Sequence, residues 1–248
     1  MGKIRILNNN VLKIIAAISM LLDHIGLILF PSIEIFRILG RIAFPIFAFT
    51  IAEGAKYTRN NVKYFLMIFG LGTICQVVNY FFNEDKFYMG ILITFSLSIL
   101  LIYLLQFNKH LIFNTNHNKV IKVLVPVITI PSSIVLLYFL NKYVEFDYGF
   151  WGCLVPVFTS LVDLRKINVN DKIRHIDNFY IRFILTFIGV LLVAIYWKGI
   201  QYYSLIAMIF IFLYNEKRGK VNLKYFFYLF YPLHLVLVYG ISMLMYLL

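Results

Sequence analysis

Charged residues and cysteines are scarce in this sequence of 248 residues. Only 14% of the residues are charged, whereas soluble domains average about 25%. The two cysteines, Cys75 and Cys153, lie in apolar stretches, which favours small buried side chains over a disulfide. The sequence also lacks a P-loop, a dinucleotide-binding glycine fingerprint and an HExxH zinc motif. These absences argue against a soluble nucleotide-binding enzyme or a zinc hydrolase.

Apolar residues, in contrast, dominate the chain. They make up 62% of it and form long continuous runs. A soluble domain of this size could not bury so much apolar surface, so we expect the protein to lie in a lipid bilayer. Within lipid every backbone polar group needs a partner in the chain, and continuous rather than alternating runs favour helices over a barrel. The sequence therefore predicts an all-α, polytopic helical membrane protein, with residues 1–248 forming one integral-membrane domain in the cell membrane.

Nine apolar segments predict about nine transmembrane helices in one bundle. Most of them approach the roughly 20 residues that cross the hydrocarbon core. The eighth segment is short and could tilt, re-enter or thin the bilayer. The segments are 11–31, 35–55, 64–82, 88–106, 121–140, 148–164, 179–197, 201–214 and 225–248.

The basic residues indicate how these segments are oriented. With the amino terminus in the cytoplasm and the carboxyl terminus outside, 18 of the 23 lysines and arginines fall on the cytoplasmic side. Only Lys86, Lys142 and Lys198 fall on the other side, in line with the positive-inside rule. The net charge of +12 therefore reflects topology and attraction to anionic membrane lipids, and we expect no nucleic-acid partner.

Two features concern the cytoplasmic ends of the predicted helices. Glu53 lies one helical turn from Lys56, which predicts a local i,i+3 ion pair. Residues 165–178 have mixed charge and few apolar side chains, which predicts a solvated loop or a short interfacial helix.

Four ionisable residues interrupt the first two apolar segments. Asp23 and His24 lie in the first segment, and Arg37 and Arg41 lie in the second. A charged side chain at the bilayer centre costs about 2.5–3.5 kcal/mol on insertion scales, so such residues usually line a functional site inside the bundle. Counting about 1.5 Å per residue, His24 and Arg41 lie at a similar depth in the outer half of the membrane.

Polar residues on other segments extend this layer. Gln76, Asn79 and Thr94 fall at a similar depth and are candidates to bind a substrate, although such residues also hold membrane helices together. Asp147, at the outer mouth, could meet the same substrate or cap a helix. His234 lies within the last segment, where a substrate-binding histidine and a buried structural one are both open.

Proton transfer or nucleophilic attack is the chemistry that this layer can support. A neutral histidine such as His24 can act as a base or as a transient acyl acceptor. Asp23 could stabilise the protonated imidazole or pair with Arg41 instead, because adjacent helical residues point about 100° apart. Arg37 and Arg41 form a pair of guanidinium groups suited to a carboxylate, a phosphate or a developing oxyanion. A purely structural ion pair between Asp23 and Arg41 is the alternative.

Four sequence blocks also carry a family resemblance. They are ISMLLDHIGLILFP, FRILGRIAFPIFAFTIAEGAKYTRN, LYNEKRG and LKYFFYLFYPLHL, and in this order they span most of the chain, from residue 18 to residue 235. Together they resemble the TraX family, the group that includes the protein that acetylates F-type pilin. That family is related to the transmembrane acyltransferase superfamily.

The resemblance implies an acyl-CoA-dependent acyltransferase, with acetyl-CoA or another acyl-CoA as co-substrate and no metal. A histidine in the first helix is the proposed catalytic residue of the relatives, and His24 occupies the matching place. Arg41 of GRIAFP and Arg59 of TRN carry over as site residues. Acyl-CoA would dock from the cytoplasm with its phosphates on Arg59, Lys217 and Arg218. For Lys217 and Arg218 the alternative is ordinary positive charge on the cytoplasmic side, which we favour. An amine or hydroxyl acceptor, such as a peptide N-terminus or a glycan, would arrive from outside.

Two other function classes are compatible with the sequence. A transporter or channel could use the same polar layer to bind a solute, but it should contain an inverted repeat and paired broken helices, and the sequence has no internal symmetry. A non-catalytic membrane scaffold would leave the charged layer unexplained.

Overall fold

The computed structural model describes residues 4–82, 88–113 and 118–247. Throughout these ranges the regular structure is helical, and the only β-type pairings are two isolated bridges, Leu7 with Tyr214 and Met89 with Phe146. The all-α prediction is therefore confirmed. Lys86, which we predicted on the external side, and Leu248, the end of the last predicted segment, lie outside the described residues.

The helices follow the apolar segments closely. A π-helical turn, Ile25–Leu29, continues the first α-helix, and a 3-10 helix, Gly199–Ile206, precedes the tenth. The α-helices are α1 Asn9–His24, α2 Glu34–Gly40, α3 Ala43–Tyr57, α4 Asn61–Phe82, α5 Ile91–Phe113, α6 Lys119–Tyr143, α7 Gly149–Ser160, α8 Asp171–Arg174, α9 Phe179–Trp197, α10 Ala207–Phe212 and α11 Lys224–Leu247.

Seven helical stretches in the described ranges are long and apolar enough to cross a membrane. Two of the nine predicted segments form shorter helices: 148–164 contains the 12-residue α7, and 201–214 contains most of the 3-10 helix and α10. The 3-10 helix starts after Lys198, whose φ of 57° turns the chain. The chain is thus a multi-pass membrane protein in which two apolar segments are too short for an ordinary crossing.

The contacts divide the chain into two compact units. Unit 1 comprises Met1–Thr50, Gly70–Lys86 and Val190–Leu248, and unit 2 comprises Ile51–Phe69 and Phe87–Gly189. Within unit 1, α1 packs against α2 and α11, and the 3-10 helix packs against α2 and α10. Within unit 2, α5 packs against α6 and α7. The single-domain assignment stays a prediction.

Two glycines allow the close approach of α1 and α2 in unit 1. A Cβ atom added to Gly26 would lie 2.6 Å from Phe36 Cβ, and one added to Gly40 would lie 2.7 Å from Asp23 Cα. Real Cβ atoms do not approach other atoms so closely, so only glycine fits. Small residues serve the same purpose wherever membrane helices pack tightly. The close approach brings the Asp23 side chain within reach of α2.

The second predicted segment is broken at Arg41. The helix α2 ends at Gly40, and α3 begins at Ala43. Pro45 explains the break, because proline lacks an N–H and its ring crowds the carbonyl four residues earlier, which belongs to Arg41. The Arg41 side chain therefore projects from an interruption within an apolar stretch.

Part of the LYNEKRG block holds the amino-terminal segment of unit 1. Leu7 N–H donates to Leu213 O (2.9 Å), and Leu7 O accepts from Asn215 N–H (2.8 Å). The Arg5 guanidinium pairs with Glu216 at 3.1 Å. These contacts give the block a structural role beside the predicted phosphate-binding role of its basic residues.

A buried ionic cluster, which the sequence did not predict, forms in unit 2. Arg182 pairs with Glu53, and Lys56 Nζ lies 2.6 Å from Asp177 Oδ1 and 3.8 Å from Asp163 Oδ1. All five side chains are less than 10% exposed. Glu53 and Lys56 thus bind partners far along the chain instead of forming the predicted local pair, because both side chains point into the packed interior of the unit.

The same cluster fixes both ends of the predicted solvated loop 165–178. Asp177 Oδ2 accepts from Leu164 N–H (3.1 Å), and Lys109 Nζ donates to Asp163 O (3.0 Å). The loop includes the short helix α8, as one of the two predicted options required. Its path is therefore set by buried aspartates together with the buried side chain of Ile167.

We predict that Asp177→Ala strongly destabilises the protein, because Lys56 and Arg182 would lose a shared carboxylate. Removing one partner from a buried ion pair typically costs about 3–5 kcal/mol. Asp171→Ala is the matched control, since Asp171 is exposed in the first turn of α8. The melting temperatures of both purified variants should differ clearly, and equal values would contradict the structural role of Asp177.

Candidate active site

The Asp23 carboxylate is shared between two arginines in unit 1. Its Oδ1 lies 2.8 Å from Arg41 Nη2, and its Oδ2 lies 3.0 Å from Arg37 Nη1. The three side chains are between 12% and 23% exposed, so they are largely removed from solvent. Each carboxylate oxygen accepts a charge-assisted hydrogen bond, which is the stronger kind. One negative and two positive groups leave a net charge of about +1, which favours a bound or developing anion.

The 3-10 helix adds a neutral side chain to this group. Arg41 Nη1 donates to Gln201 Oε1 (3.2 Å), and Arg41 Nε donates to the Arg37 carbonyl (3.4 Å). The Gln201 amide is 3% exposed. Contacts from α1, α2 and the 3-10 helix therefore hold the Arg41 guanidinium in one orientation.

Two histidines lie beside each other in the same unit. The His24 and His234 ring centroids are 4.9 Å apart, with the rings in an edge-to-face arrangement. His24 Nδ1 lies 2.9 Å from Met20 O, and His234 Nδ1 lies 2.9 Å from Phe230 O. A carbonyl oxygen only accepts, so Nδ1 carries the proton in both rings. In the neutral form, both Nε2 atoms therefore carry a lone pair.

Three buried polar atoms of unit 1 lack a hydrogen-bond partner among the described residues. They are Gln201 Nε2, Ser204 Oγ and His234 Nε2. Leaving a buried polar atom unsatisfied costs about 1–3 kcal/mol, so such atoms in a native protein call for water or a ligand. Two of them belong to residues that contact Arg41 or His24. The region around Asp23, Arg37 and Arg41, which we call the Asp23 group, therefore has the features of a binding site.

A π-helical turn follows His24 directly. Phe30 N–H donates to Ile25 O (3.1 Å), which is the i→i−5 bond of this helix type. Such turns are rare and occur frequently at functional sites. The turn ends just before Pro31, but nothing in the sequence distinguished it from an ordinary helix end.

The structure brings five of the predicted site residues together. Within unit 1, ion pairs join Asp23 to Arg37 and Arg41, and the imidazole rings of His24 and His234 contact each other. Asp23 and His24 are consecutive residues of α1, which links the two groups. Asp23 binds the arginines, which was one of the two arrangements that the sequence left open. The catalytic and binding roles of these residues stay predictions.

The remaining predicted substrate-binding residues divide between the units. Gln76 is half-buried and Asn79 is buried on α4 in unit 1. In unit 2, Thr94 Oγ1 donates to the Asp147 carbonyl (3.0 Å). The residue that caps α7 is Tyr148 rather than Asp147. The predicted contacts of these residues with a substrate stay predictions.

The predicted phosphate-binding residues are exposed in both units. Arg59 lies in unit 2, and Lys217 and Arg218 lie in unit 1. The turn that carries Arg59 is held by Lys166, whose Nζ donates to Thr58 O (2.9 Å). Burial lowers the pKa of the Lys166 ammonium, and the nearby Arg165 lowers it further, while Asp163 raises it.

Sequence reasoning missed Gln201 and Ser204. Both lie in the 3-10 helix at the start of the eighth apolar segment, GIQYYSLI. The signal in the sequence was an amide and a hydroxyl within an apolar run, because such residues often hold membrane helices together. In the structure both side chains are buried, with 3% exposure or less.

The fold and this site define a multi-pass membrane protein with a buried polar site between helices. The family profile described as TraX protein matches residues 8–242, so the chain belongs to the TraX family.

Relatives from two bacteria are similar to the chain. An uncharacterized protein, RP591 of Rickettsia prowazekii (strain Madrid E), is 29% identical over 165 residues, which cover 62% of this chain and 63% of the relative. The probable fimbrial assembly protein FimC, serogroup H1, of Dichelobacter nodosus is 27% identical over 252 residues, which cover 94% of each chain. No solved structure matches the chain.

We predict that Gly40→Ala separates α1 from α2 and weakens the ion pairs of Asp23. The added Cβ would meet Asp23 backbone as well as side-chain atoms, so a rotamer change cannot relieve the clash, and such overpacking costs about 1–3 kcal/mol. Gly240→Ala, in α11 of the same unit, meets nothing within 4 Å and should be neutral or slightly stabilising. Melting temperatures that fall equally in both variants would contradict the close approach.

Proposed function

We propose that the protein is an integral-membrane acyltransferase. It would move an acetyl or other short acyl group from cytoplasmic acyl-CoA to an amine or hydroxyl acceptor in the outer half of the membrane. One observation carries this proposal: His24, whose Nδ1 proton is bound to Met20 O, directly follows Asp23 on α1, and Asp23 pairs with two arginines to form a net-positive group.

The chemistry of acyl transfer needs what these residues offer. Attack on a thioester carbonyl requires removal of a proton from the acceptor, and it places negative charge on the carbonyl oxygen. His24 Nε2 has no hydrogen-bond partner within the described residues, so it can act as a base or accept the acyl group. Arg41 would stabilise the oxyanion, with Asp23 and Gln201 holding its guanidinium in place.

A cationic pair at the start of α1 supports docking of acyl-CoA from the cytoplasm. Lys13 is half-buried, lies 5.9 Å from the Phe227 ring centroid, and is close enough to Arg218 for their charges to repel. Neither cation forms an ion pair with an acidic residue in the described ranges. Two cations held together without a carboxylate suit a phosphate group. Arg218 was a predicted phosphate-binding residue, and Lys13 extends that set.

The distance from this pair to His24 fits the co-substrate. Lys13 and His24 are eleven residues apart on one helix, or about 16 Å. The pantetheine arm of CoA has the length of roughly four extended peptide units, or about 14 Å. Phosphates bound at Lys13 and Arg218 would therefore place the thioester near His24.

The name of one relative helps to choose between the two kinds of acceptor. That relative is named a probable fimbrial assembly protein, which favours a peptide N-terminus of a fimbrial subunit over a glycan. Acceptor, acyl-CoA and surrounding membrane lipids are the partners that this proposal requires. The proposed topology, with the amino terminus in the cytoplasm and the carboxyl terminus outside, keeps Lys13 on the side where acyl-CoA is made.

A solute transporter is the second candidate. The helix break at Arg41 favours it, because transporters bind solutes at broken helices near the midplane. A transporter would bind a solute without splitting acyl-CoA, so turnover separates the two functions.

We predict that His24→Ala lowers acyl transfer at pH 7 while the protein remains folded. Arg41→Ala should lower turnover about 10²–10³-fold if it loses an oxyanion donor, and Arg41→Lys should recover only part of it, because a point charge lacks the planar fork of arginine. The assay is release of CoA from labelled acetyl-CoA by purified protein in detergent, with and without a short peptide that has a free N-terminus.

The exposed His175 in the cytoplasmic loop provides the control variant, His175→Ala, which should transfer normally. Melting temperatures measured on the same preparations separate a lost function from a lost fold. A His24→Ala protein that melts normally and still releases CoA at the wild-type rate at pH 7 would rule out the catalytic role of His24.

A further inference from the structure

We infer that His234 is a second catalytic residue, whose Nε2 takes the proton that an amine acceptor loses as its nitrogen bonds to the acyl carbon. This inference rests on the proposed acyl transfer. It assigns a proton-transfer role to a histidine that the sequence predicted only as a candidate substrate-binding residue.

The His234 ring is held in one orientation. Nδ1 donates to Phe230 O at 2.9 Å, and the Phe230 ring stacks on the imidazole at a centroid distance of 5.1 Å. The residue is 3% exposed. Rigid placement of this kind is what a catalytic group needs, because small misplacements are costly in rate.

The unsatisfied atom of His234 is the one that can take a proton. Since Nδ1 carries the ring hydrogen, Nε2 is an acceptor, and it is buried without a partner in the part of the chain that the structure describes. A purely structural histidine would have little reason to keep this atom unsatisfied. An N–H group of an acceptor would satisfy it.

His24 presents the same atom from the neighbouring helix. With ring centroids 4.9 Å apart and each nitrogen about one bond length from its centroid, the two Nε2 atoms are at most about 7 Å apart. Both imidazoles are acceptors in the same tautomer. One acceptor molecule can therefore meet two proton-accepting nitrogens.

Acylation of an amine acceptor requires two proton-accepting groups. A peptide N-terminus has a pKa of about 7.7–8.0, so much of it is an ammonium at neutral pH and loses one proton before attack and a second one during attack. In this scheme His24 Nε2 takes the first proton and leaves a neutral amine. The amine nitrogen then bonds to the acyl carbon, the carbon–sulfur bond breaks, and the electron pair leaves with the CoA thiolate.

His234 Nε2 takes the second proton in that step. One of the two imidazolium groups then protonates the CoA thiolate, and the other returns its proton to water. Atoms and charges balance without a further reactant. The scheme assigns different protons to the two histidines, which makes their roles separable by pH.

The test compares His24→Gln and His234→Gln with the wild-type protein at pH 7 and pH 9. Glutamine retains a hydrogen-bonding group but cannot take up a proton as a base does. The probes are acetyl-CoA and a short alanine peptide amide with a free N-terminus, and kcat and KM for the peptide are measured separately. His175→Gln, which makes the same change at an exposed histidine, is the control.

We expect His234→Gln to lower kcat by about 10² or more at both pH values, with little change in KM, as for loss of a general base. His24→Gln should lower kcat only about 5–10-fold at pH 7, because roughly a tenth of an amine with this pKa is already neutral there. It should recover at pH 9, where the peptide amine is neutral. A His234→Gln protein with normal kcat, or with only a raised KM, would overturn the inference while leaving the proposed function in place.

Wild-type protein that transfers no acetyl group would overturn the proposed function and this inference together. His234→Phe guards against a folding defect, because it fills the same space and removes the unsatisfied nitrogen. It should melt at or above the wild-type temperature and still lose turnover. If both His234 variants lose turnover only in proportion to lost folded protein, His234 is structural and the inference is wrong.

Discussion

The shared carboxylate of Asp23 is the interaction on which the candidate site depends. It neutralises one of two guanidinium groups that would otherwise be costly inside a membrane, and it fixes the direction of both. The close approach that permits this requires glycine at position 40, and the position of Arg41 follows from the helix break before Pro45. Aspartate, glycine and proline thus act together to place one arginine between Asp23 and Gln201.

Two of the ionic groups in the described part of the chain differ in net charge. In unit 2, three acidic and three basic buried residues balance in charge, as expected of a cluster that holds a loop: Glu53, Asp163, Asp177, Lys56, Lys109 and Arg182. In unit 1, the Asp23 group keeps a net positive charge and lies beside buried polar atoms without partners. Buried side-chain atoms without a hydrogen bond to any described residue lie beside both groups, and Gln106 Oε1 is one of them in unit 2, where Gln106 contacts Asp163. The excess positive charge is therefore what marks the unit 1 group as suited to a bound anion.

The sequence predicted the helical class and most of the helix positions, because long apolar runs in lipid permit little else. It also selected Asp23, His24, Arg37 and Arg41, since ionisable residues stand out in an apolar run. It could not predict the contact with Gln201 or the ionic cluster of unit 2. Those depend on which helices pack together, and residues such as Lys56 are equally compatible with an exposed cytoplasmic charge. The π-helical turn after His24 left no signal in the sequence at all.

A double-mutant cycle between Asp23 and Arg41 tests the central claim most directly. The free energy of unfolding would be measured in lipid bicelles for the wild type, Asp23→Asn, Arg41→Gln and the double variant. Each single change leaves a buried charge or amide without its partner, so the double variant should be destabilised less than the sum of the two by about 1–3 kcal/mol. Destabilisations that add to within about 0.5 kcal/mol would contradict the account, because they would mean that the two side chains do not depend on each other.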